Sequence, residues 1–274
     1  WMHGKPHVRF LMAVVLASLA AGAGCDKLRA RDMLNKGVQA YKDGRFDLAV
    51  EDFKQAKDLD PTLTNAQLYL ATAYANQYVP GLPSQDNINN GQQAVNEFQE
   101  ILDKDPNNLS AIDGIGSILY NMGATPFDEG KLNESKSYHM RHIQIKPDDP
   151  EPYHWIGVID WSIAYHSNNE MRQTYNETAK KRIGEDAPLP PALAKQFADK
   201  YGSVVDEGIQ YSQKAIELKP DFDDAMAYLN LLYRQKADME ATPEARAADE
   251  QMANDLVDKV KAIKQSRENQ QPSS

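Results

Sequence analysis

The sequence predicts an all-α protein built from about five helical hairpins stacked in series, and three observations carry that prediction. The first is residues 31–61, which read as two short amphipathic helices folded back on each other. Met33, Gly37, Ala40 and Tyr41 fall at helical spacing, Gly44 supplies a turn, and Phe46, Ala49, Val50, Phe53 and Ala56 form a second apolar stripe. The second is the closing proline, Pro61, which recurs as Pro106, Pro147 and Pro220, each followed by a new amphipathic segment. Proline has no N–H to give and its ring clashes with the preceding turn, so it stops a helix. The third is a double register of small or modest side chains. Ten residues beyond the four prolines stand Ala71, Gly116, Gly157 and Asn230, and twelve before them stand Ala49, Ala94, Ser135 and Gly208. Helices approach closely where side chains are small, so the two registers mark one contact repeated along the chain. A single hairpin cannot bury both its faces, which is why the copies must stack.

The chain has 274 residues, 41% of them hydrophobic and 26% charged, a composition that can fill a sizeable soluble core. Its formal charge of −10 disfavours nucleic acid and anionic lipid as general partners. Lys180, Lys181 and Arg182 are too short a basic cluster to reverse this. Cys25 is the one cysteine, so no intrachain disulfide and no C-x-x-C metal or redox motif can form.

Taken in order, residues 1–24 read as a signal peptide. His3, Lys5, His7 and Arg9 make a basic start, and an apolar run from Phe10 to Ala23 ends in polar sequence from Asp26. That run is shorter than the roughly 20 residues a membrane-spanning helix needs. Small residues lead up to Cys25, and this boundary resembles a bacterial lipoprotein processing site, which implies lipidation of Cys25 and anchoring to a membrane. Gly22 stands where such sites carry an aliphatic residue, and cleavage after Ala21-Gly22-Ala23, leaving a free thiol, is the rival reading. Residues 25–29 follow as a short tether.

The hairpins occupy residues 30–265, in units of about 30–63, 64–108, 109–149, 150–222 and 223–265. They resemble the tetratricopeptide repeat family, whose unit of about 34 residues carries a W-x2-L-G-x2-Y, A-x3-F, P pattern. The first unit has Gly37, Ala49, Phe53, Ala56 and Pro61 in place, with Met33, Lys36 and Ala40 departing from the pattern. The second matches at Leu70, Ala71, Tyr74, Ala94, Phe98 and Pro106, and the third at Ile112, Ile115, Gly116, Ser135 and Pro147. The fourth matches at Tyr153, Ile156, Gly157, Gly208, Ala215 and Pro220, and the fifth opens with Met226, Leu229 and Tyr233. The resemblance implies a right-handed solenoid. A long last helix from about Pro243 to Lys264 would cap it, and residues 266–274 read as a disordered tail.

Successive prolines are 45, 41 and 73 residues apart, while the interval from each proline to the next helix is constant. All extra length therefore lies inside hairpins, at the turn between their two helices. The first insertion, about Val79 to Gly91, and the second, about Ala124 to Lys131, read as loops. The third continues at helical spacing on both sides of Pro188, Pro190 and Pro191, through Trp161, Tyr165, Met171 and Tyr175 and then Leu193, Phe197, Tyr201 and Val204. This predicts lengthened helices in the fourth hairpin, projecting beyond the stack with a proline loop at the tip.

No P-loop, G-x-G-x-x-G, G-x-S-x-G or H-E-x-x-H occurs. His139 and His142, with His154, invite a metal-dependent enzyme as a minor alternative. The repeat register instead places His139 and His142 at core positions, so neither a catalytic nor a metal-ligand set is assigned and no cofactor is expected.

The family resemblance implies a non-enzymatic module that binds a peptide or protein in a concave groove lined by the first helix of each hairpin. Carried over, the groove positions are Arg31, Leu34, Val38, Tyr41 and Lys42, then Asn65, Leu68, Thr72 and Asn76. Later units add Asp113, Ser117, Tyr120, Asn121, His154, Val158, Trp161, Arg234 and Gln235. Aromatic contact area and amides able to pair with extended backbone suit a peptide ligand. Lys and Asn grip a C-terminal carboxylate in the chaperone-binding branch of the family, but Leu34 and Val38 occupy those positions here. The expected setting is a bacterial cell envelope, on the periplasmic side of a membrane or soluble in the periplasm or medium. The alternative function is a structural accessory of a secretion, pilus or outer-membrane assembly machine.

Overall fold

The computed structural model describes residues 25–185 and 187–270. Among them are ten α-helices and no strand. They are α1 (25–42), α2 (Phe46–Leu59), α3 (Thr64–Gln77), α4 (Gln85–Lys104), α5 (Leu109–Ala124), α6 (Glu129–Ile145), α7 (Pro150–Thr178), α8 (Pro191–Leu218), α9 (Asp223–Ala237) and α10 (Pro243–Gln270). None of the described helices is long and apolar enough to cross a membrane. The expected signal peptide, residues 1–24, lies outside the described residues, as do 271–274.

The four prolines act alike. Asp60, Asp105, Lys146 and Lys219 precede them, and all four leave the helical region with φ between −135° and −142° and ψ between 78° and 90°. A proline ring disfavours helical ψ at the residue before it. Each of the four N–H groups still reaches a carbonyl four residues back, on Ala56, Ile101, His142 and Ala215, so the helix ends without an orphan donor there. The next helix then opens three residues after each proline, at Thr64, Leu109, Pro150 and Asp223.

The helices gather into two compact units, one ending at Ile118 and the other beginning at Leu119, so the division falls within α5. In the first unit α1 and α2 fold back over Gly44, whose φ of +73° suits glycine. Gly37 faces the Phe53 ring so closely that a Cβ would lie 2.5 Å from it, and Gly114 faces Phe98 in the same way. Phe53, Leu70, Ala71, Ile101 and Ile112 are buried around these contacts. A polar tie joins three helices: Lys57 Nζ donates to Glu97 (2.6 Å) and Glu100 (2.8 Å), and Gln67 Nε2 donates to the same two carboxylates.

The first insertion differs from its expected form. Only residues 78–84 are loop, and 85–91 extend α4 to 20 residues. Ser84 caps this extension by accepting the Asn87 N–H, and buried Asn87 satisfies the loop. Its Oδ1 accepts from Val79 N–H at 2.7 Å, while Nδ2 donates to the Val79 and Leu82 carbonyls at 2.9 and 2.8 Å. The Asn-rich run is helical because Ser84 caps it and Asn87 braces the loop rather than turning the chain. The second insertion likewise shortens to 125–128, with Asp128 capping α6.

In the second unit α7 and α8 have 29 and 28 residues against 14 in α2 and α3, so the fourth hairpin is lengthened as expected. Gly157 and Gly208 meet at its base. A Cβ on Gly157 would lie 3.4 Å from the Gly208 carbonyl and would collide with Ser212 Oγ. Phe197, Val205, Ile159, Ile163 and Leu232 fill the core beside them, closed by Ala253 and Leu256 of α10. Lys136 Nζ bridges Asp160 (2.7 Å) and Glu207 (2.8 Å) across α6, α7 and α8. Burial pushes the Asp160 carboxyl up to about 7 against the pull of that ammonium.

The tip does not project freely. Arg172 and Asn176 of α7 hold the proline loop back against the helix, through Gly184 O, Ala187 O and both backbone groups of Ile183. A loop carrying so many backbone polar groups needs such partners. Two boundaries also move: residues 25–29 belong to α1 rather than to a tether, and α10 runs to Gln270, where a tail from 266 was expected. Arg267 explains the second, donating to the Asp221 carbonyl (2.7 Å) and Asp223 carboxylate (2.9 Å) beneath α9.

Candidate functional site

The lengthened part of α7 carries a stripe at helical spacing, Trp161, Tyr165, Asn169, Arg172, Gln173 and Asn176. It forms the floor of a groove in the second unit. The wider part, ≈ 300 Å³, lies between this stripe and Leu231, Arg234, Gln235 and Asp238 of α9 and its turn, with Arg246 and Glu250 of α10. A second part of ≈ 240 Å³ shares Tyr165, Asn169, Arg172 and Glu185 and runs on to Asn176 and Ile183. From residue 161 to 176 the helix rises about 22 Å, the length of six or seven residues of extended chain.

One wall is aromatic. Trp161 and Tyr165 stack with centroids 5.1 Å apart at 20°, and Tyr228 meets Trp161 edge-on at 5.3 Å. Tyr165 is exposed and Trp161 half-buried, so the pair presents a contact face. The base is a polar network that leaves little freedom. Arg172, 5% exposed, donates from Nε to Asn168 Oδ1 (2.9 Å) and from Nη2 to Asp238 Oδ2 (2.7 Å). Asn168 Nδ2 reaches Gln235 Oε1 and Asp238 Oδ2, both at 2.9 Å. Arg246 closes the set on Asp238 Oδ1 (3.0 Å) and Glu250 (2.8 Å). Arg234 stands apart, held by two amide oxygens, Asn230 Oδ1 and Asn254 Oδ1, each at 3.0 Å. Charges buried in this way hold one geometry because every partner is in place.

The expected groove residues divide between the units. In the first, Tyr41 Oη accepts from Asn76 Nδ2 at 2.7 Å, so α1 and α3 present these two side by side. Arg31, Lys42 and Asn65 are exposed, while Leu34, Val38, Leu68, Thr72, Asp113 and Ser117 are half-buried. Thr72 turns its hydroxyl back to Leu68 O. In the second, Trp161, Arg234 and Gln235 converge on the cleft. Tyr120 packs edge-on to Trp155 at 5.3 Å with its hydroxyl 3.3 Å from Ser162 Oγ, and Asn121 is exposed. His154 and Val158 are buried and offer nothing to a groove, because Phe222 and Tyr228 cover His154 at 4.9 and 5.6 Å.

His139 and His154 pack against aromatic rings. His139 is 1% exposed and lies parallel to Trp155 at 5.7 Å, with neither ring nitrogen hydrogen-bonded. Burial pushes His139 and His154 down to about 4. Among the described residues no three His, Cys, Asp or Glu side chains are placed to hold a metal. Cys25 is exposed at the start of α1.

No family model matches the sequence, and no curated protein matches it. Solved structures do match in fold. MamA from Desulfovibrio magneticus RS-1 superposes with a TM-score of 0.55 at 16% identity, covering 89% of this chain and 98% of that one. A second MamA structure gives 0.55 at 14% identity, over 90% and 97%. The fold is of the tetratricopeptide-repeat type. YrrB, a tetratricopeptide protein described as having an unusual peptide-binding site, is a weaker likeness, with a TM-score of 0.48 at 14% identity over 84% of each chain.

Within this tetratricopeptide-type fold, Trp161, Arg234 and Gln235 of the expected groove positions line the cleft, together with Asn169, Arg172, Glu185, Arg246 and Glu250, which were not among them. The periodicity through Trp161 and Tyr165 was a signal for the floor. Nothing in the sequence placed α10 beside it.

Proposed function

We propose that the protein is a non-enzymatic interaction module that holds an extended segment of a protein partner in the groove along α7. The observation that carries this reading is the cleft itself. A stacked aromatic pair, Tyr165 exposed and Trp161 half-buried, stands over a hydrogen-bonded polar base, with Asn169 and Gln173 one turn apart on its floor. Aromatic faces supply contact area, and amides at this spacing can pair with the backbone of an extended chain. Arg172 ties the floor to the loop and Arg246 ties α10 to Asp238, so the site needs little ordering on binding. The tetratricopeptide-type fold supports an interaction role over a catalytic one.

From the apolar run and small residues that lead up to Cys25, we also propose a bacterial cell-envelope setting, with the chain held to a membrane by lipid on Cys25. Several acyl chains would bind a membrane firmly, each buried CH2 contributing roughly 0.8 kcal/mol. Two experiments test the proposal. A photo-crosslinking amino acid at Tyr165 should trap a partner in cells, and one at Met252, exposed on α10 outside the cleft, should not. Equal labelling at both positions would remove the groove from the account. Loss of Cys25 in Cys25→Ala should move the protein from the membrane to the soluble fraction, and identical fractionation would remove the anchor.

A further inference from the structure

The groove holds three guanidinium groups, and they are not equivalent. Arg172 and Arg246 share the Asp238 carboxylate, and Arg246 also has Glu250. Arg234 has no carboxylate partner among the described residues. It is nevertheless fixed: Nε donates to Asn230 Oδ1 and Nη2 to Asn254 Oδ1, both at 3.0 Å. Asn230 is itself oriented, its Nδ2 donating to Ala227 O at 3.2 Å. A guanidinium has five N–H donors. Two are taken here, which leaves three, two on Nη1 and one on Nη2, and a carboxylate can engage a guanidinium through one hydrogen from each of these nitrogens.

Resting on the groove reading above, we infer that Arg234 is a braced anchor for the side-chain carboxylate of an acidic residue in the bound segment, next to the Trp161 and Tyr165 face. Its amide braces hold the side chain in place without neutralising it. Charge is thus kept for the ligand and rotamer freedom is already lost before binding. A side chain fits better than a chain terminus, because Arg234 is exposed on the α9 flank while the groove runs on along α7 to Asn176, letting the segment pass by. The chain's formal charge of −10 opposes acidic ligands at long range, so the preference must come from this contact.

The test is selection from a degenerate library of end-blocked heptapeptides by the full protein, by Arg234→Gln and by Asn254→Ala. Circular dichroism checks that both variants fold. Wild type should enrich Asp or Glu at one position next to an aromatic or aliphatic residue, Arg234→Gln should lose that enrichment, and Asn254→Ala should weaken it. A selected peptide should bind Arg234→Gln about ten- to a hundredfold more weakly, the range of a charge-assisted hydrogen-bonded pair. Peptides selected without acidic enrichment, or with enrichment that survives Arg234→Gln, overturn the anchor and leave the groove standing. Selection from a library with free C-termini alone shows that a terminus binds, and also overturns it. No selection by wild type at all removes the groove reading, and the anchor with it.

Discussion

Replacing Arg172 by Met tests whether the groove and the proline loop are held by one side chain. Met keeps most of the apolar stem and removes four hydrogen bonds, to Asn168, Gly184 O, Ala187 O and Asp238. Orphaning a buried charge costs about 3–5 kcal/mol, but Asp238 would keep Arg246 at 3.0 Å. The loop carbonyls would regain water in part, since Gly184 is exposed and Ala187 half-buried. These two offsets bring the expected loss to about 2–4 kcal/mol, from hydrogen bonds to charged groups worth about 1.5–3 kcal/mol each. Thermal unfolding should fall by about 5–10 °C on that basis. A more local readout is limited trypsin digestion, because Lys180, Lys181 and Arg182 are exposed in the loop that Arg172 ties down. Cleavage there should quicken well before global unfolding. An unchanged cleavage rate, with a melting temperature within about 1 °C of wild type, would refute the argument that Arg172 latches the loop.

Three further outcomes follow from the packing. Gly157→Ala should destabilise the protein by about 1–3 kcal/mol because its methyl collides with Ser212 Oγ, and adding Ser212→Ala should recover most of this; a single variant with an unshifted denaturation midpoint contradicts the close approach. The two buried histidines should pull stability down as pH falls from 6.5 towards 4, opposed in part by Asp160, whose carboxyl, raised to about 7, takes up its proton in the folded state over the same window. His139 is held down at about 4 in the fold against 6.5 in the unfolded chain, so the unfolded state takes up the extra proton in that window. The loss is about 3 kcal/mol for His139 by pH 4, with His154 adding in the same direction, and His139→Leu should flatten the profile while leaving stability at pH 7 equal or higher. Asn87→Ala removes three hydrogen bonds to the loop at 78–84 and should lower stability by about 1–3 kcal/mol, with faster amide exchange confined first to that loop.

Much of the fold was legible because its boundaries are local chemistry. A proline ring acts on the residue before it wherever it stands, so the helix ends at Asp60, Asp105, Lys146 and Lys219 and the three-residue interval to the next helix could be read from spacing alone. Side-chain capping was harder to weigh. Asparagine is common in turns and at helix starts alike, and the helical reading of 85–91 depends on Asn87 finding the Val79 and Leu82 backbone groups. The helical end from 266 is hidden from sequence reading for a similar reason, since Arg267 finds its acceptors on Asp221 and Asp223, more than forty residues away.

By itself, then, the sequence determined the all-α class, the hairpin register and the lengthened fourth hairpin, all of which follow from periodicity and from residues with strong local preferences. The tertiary structure decided which exposed positions become a site. Trp161 and Arg234 stand at expected groove positions and line the cleft, but Arg172, Arg246 and Glu250 come to it only because α10 and the proline loop close on α7. Helical spacing decides which side chains share a face. Whether that face meets water, a core or a cleft depends on elements distant in sequence, and for His154 and Val158 it was the core.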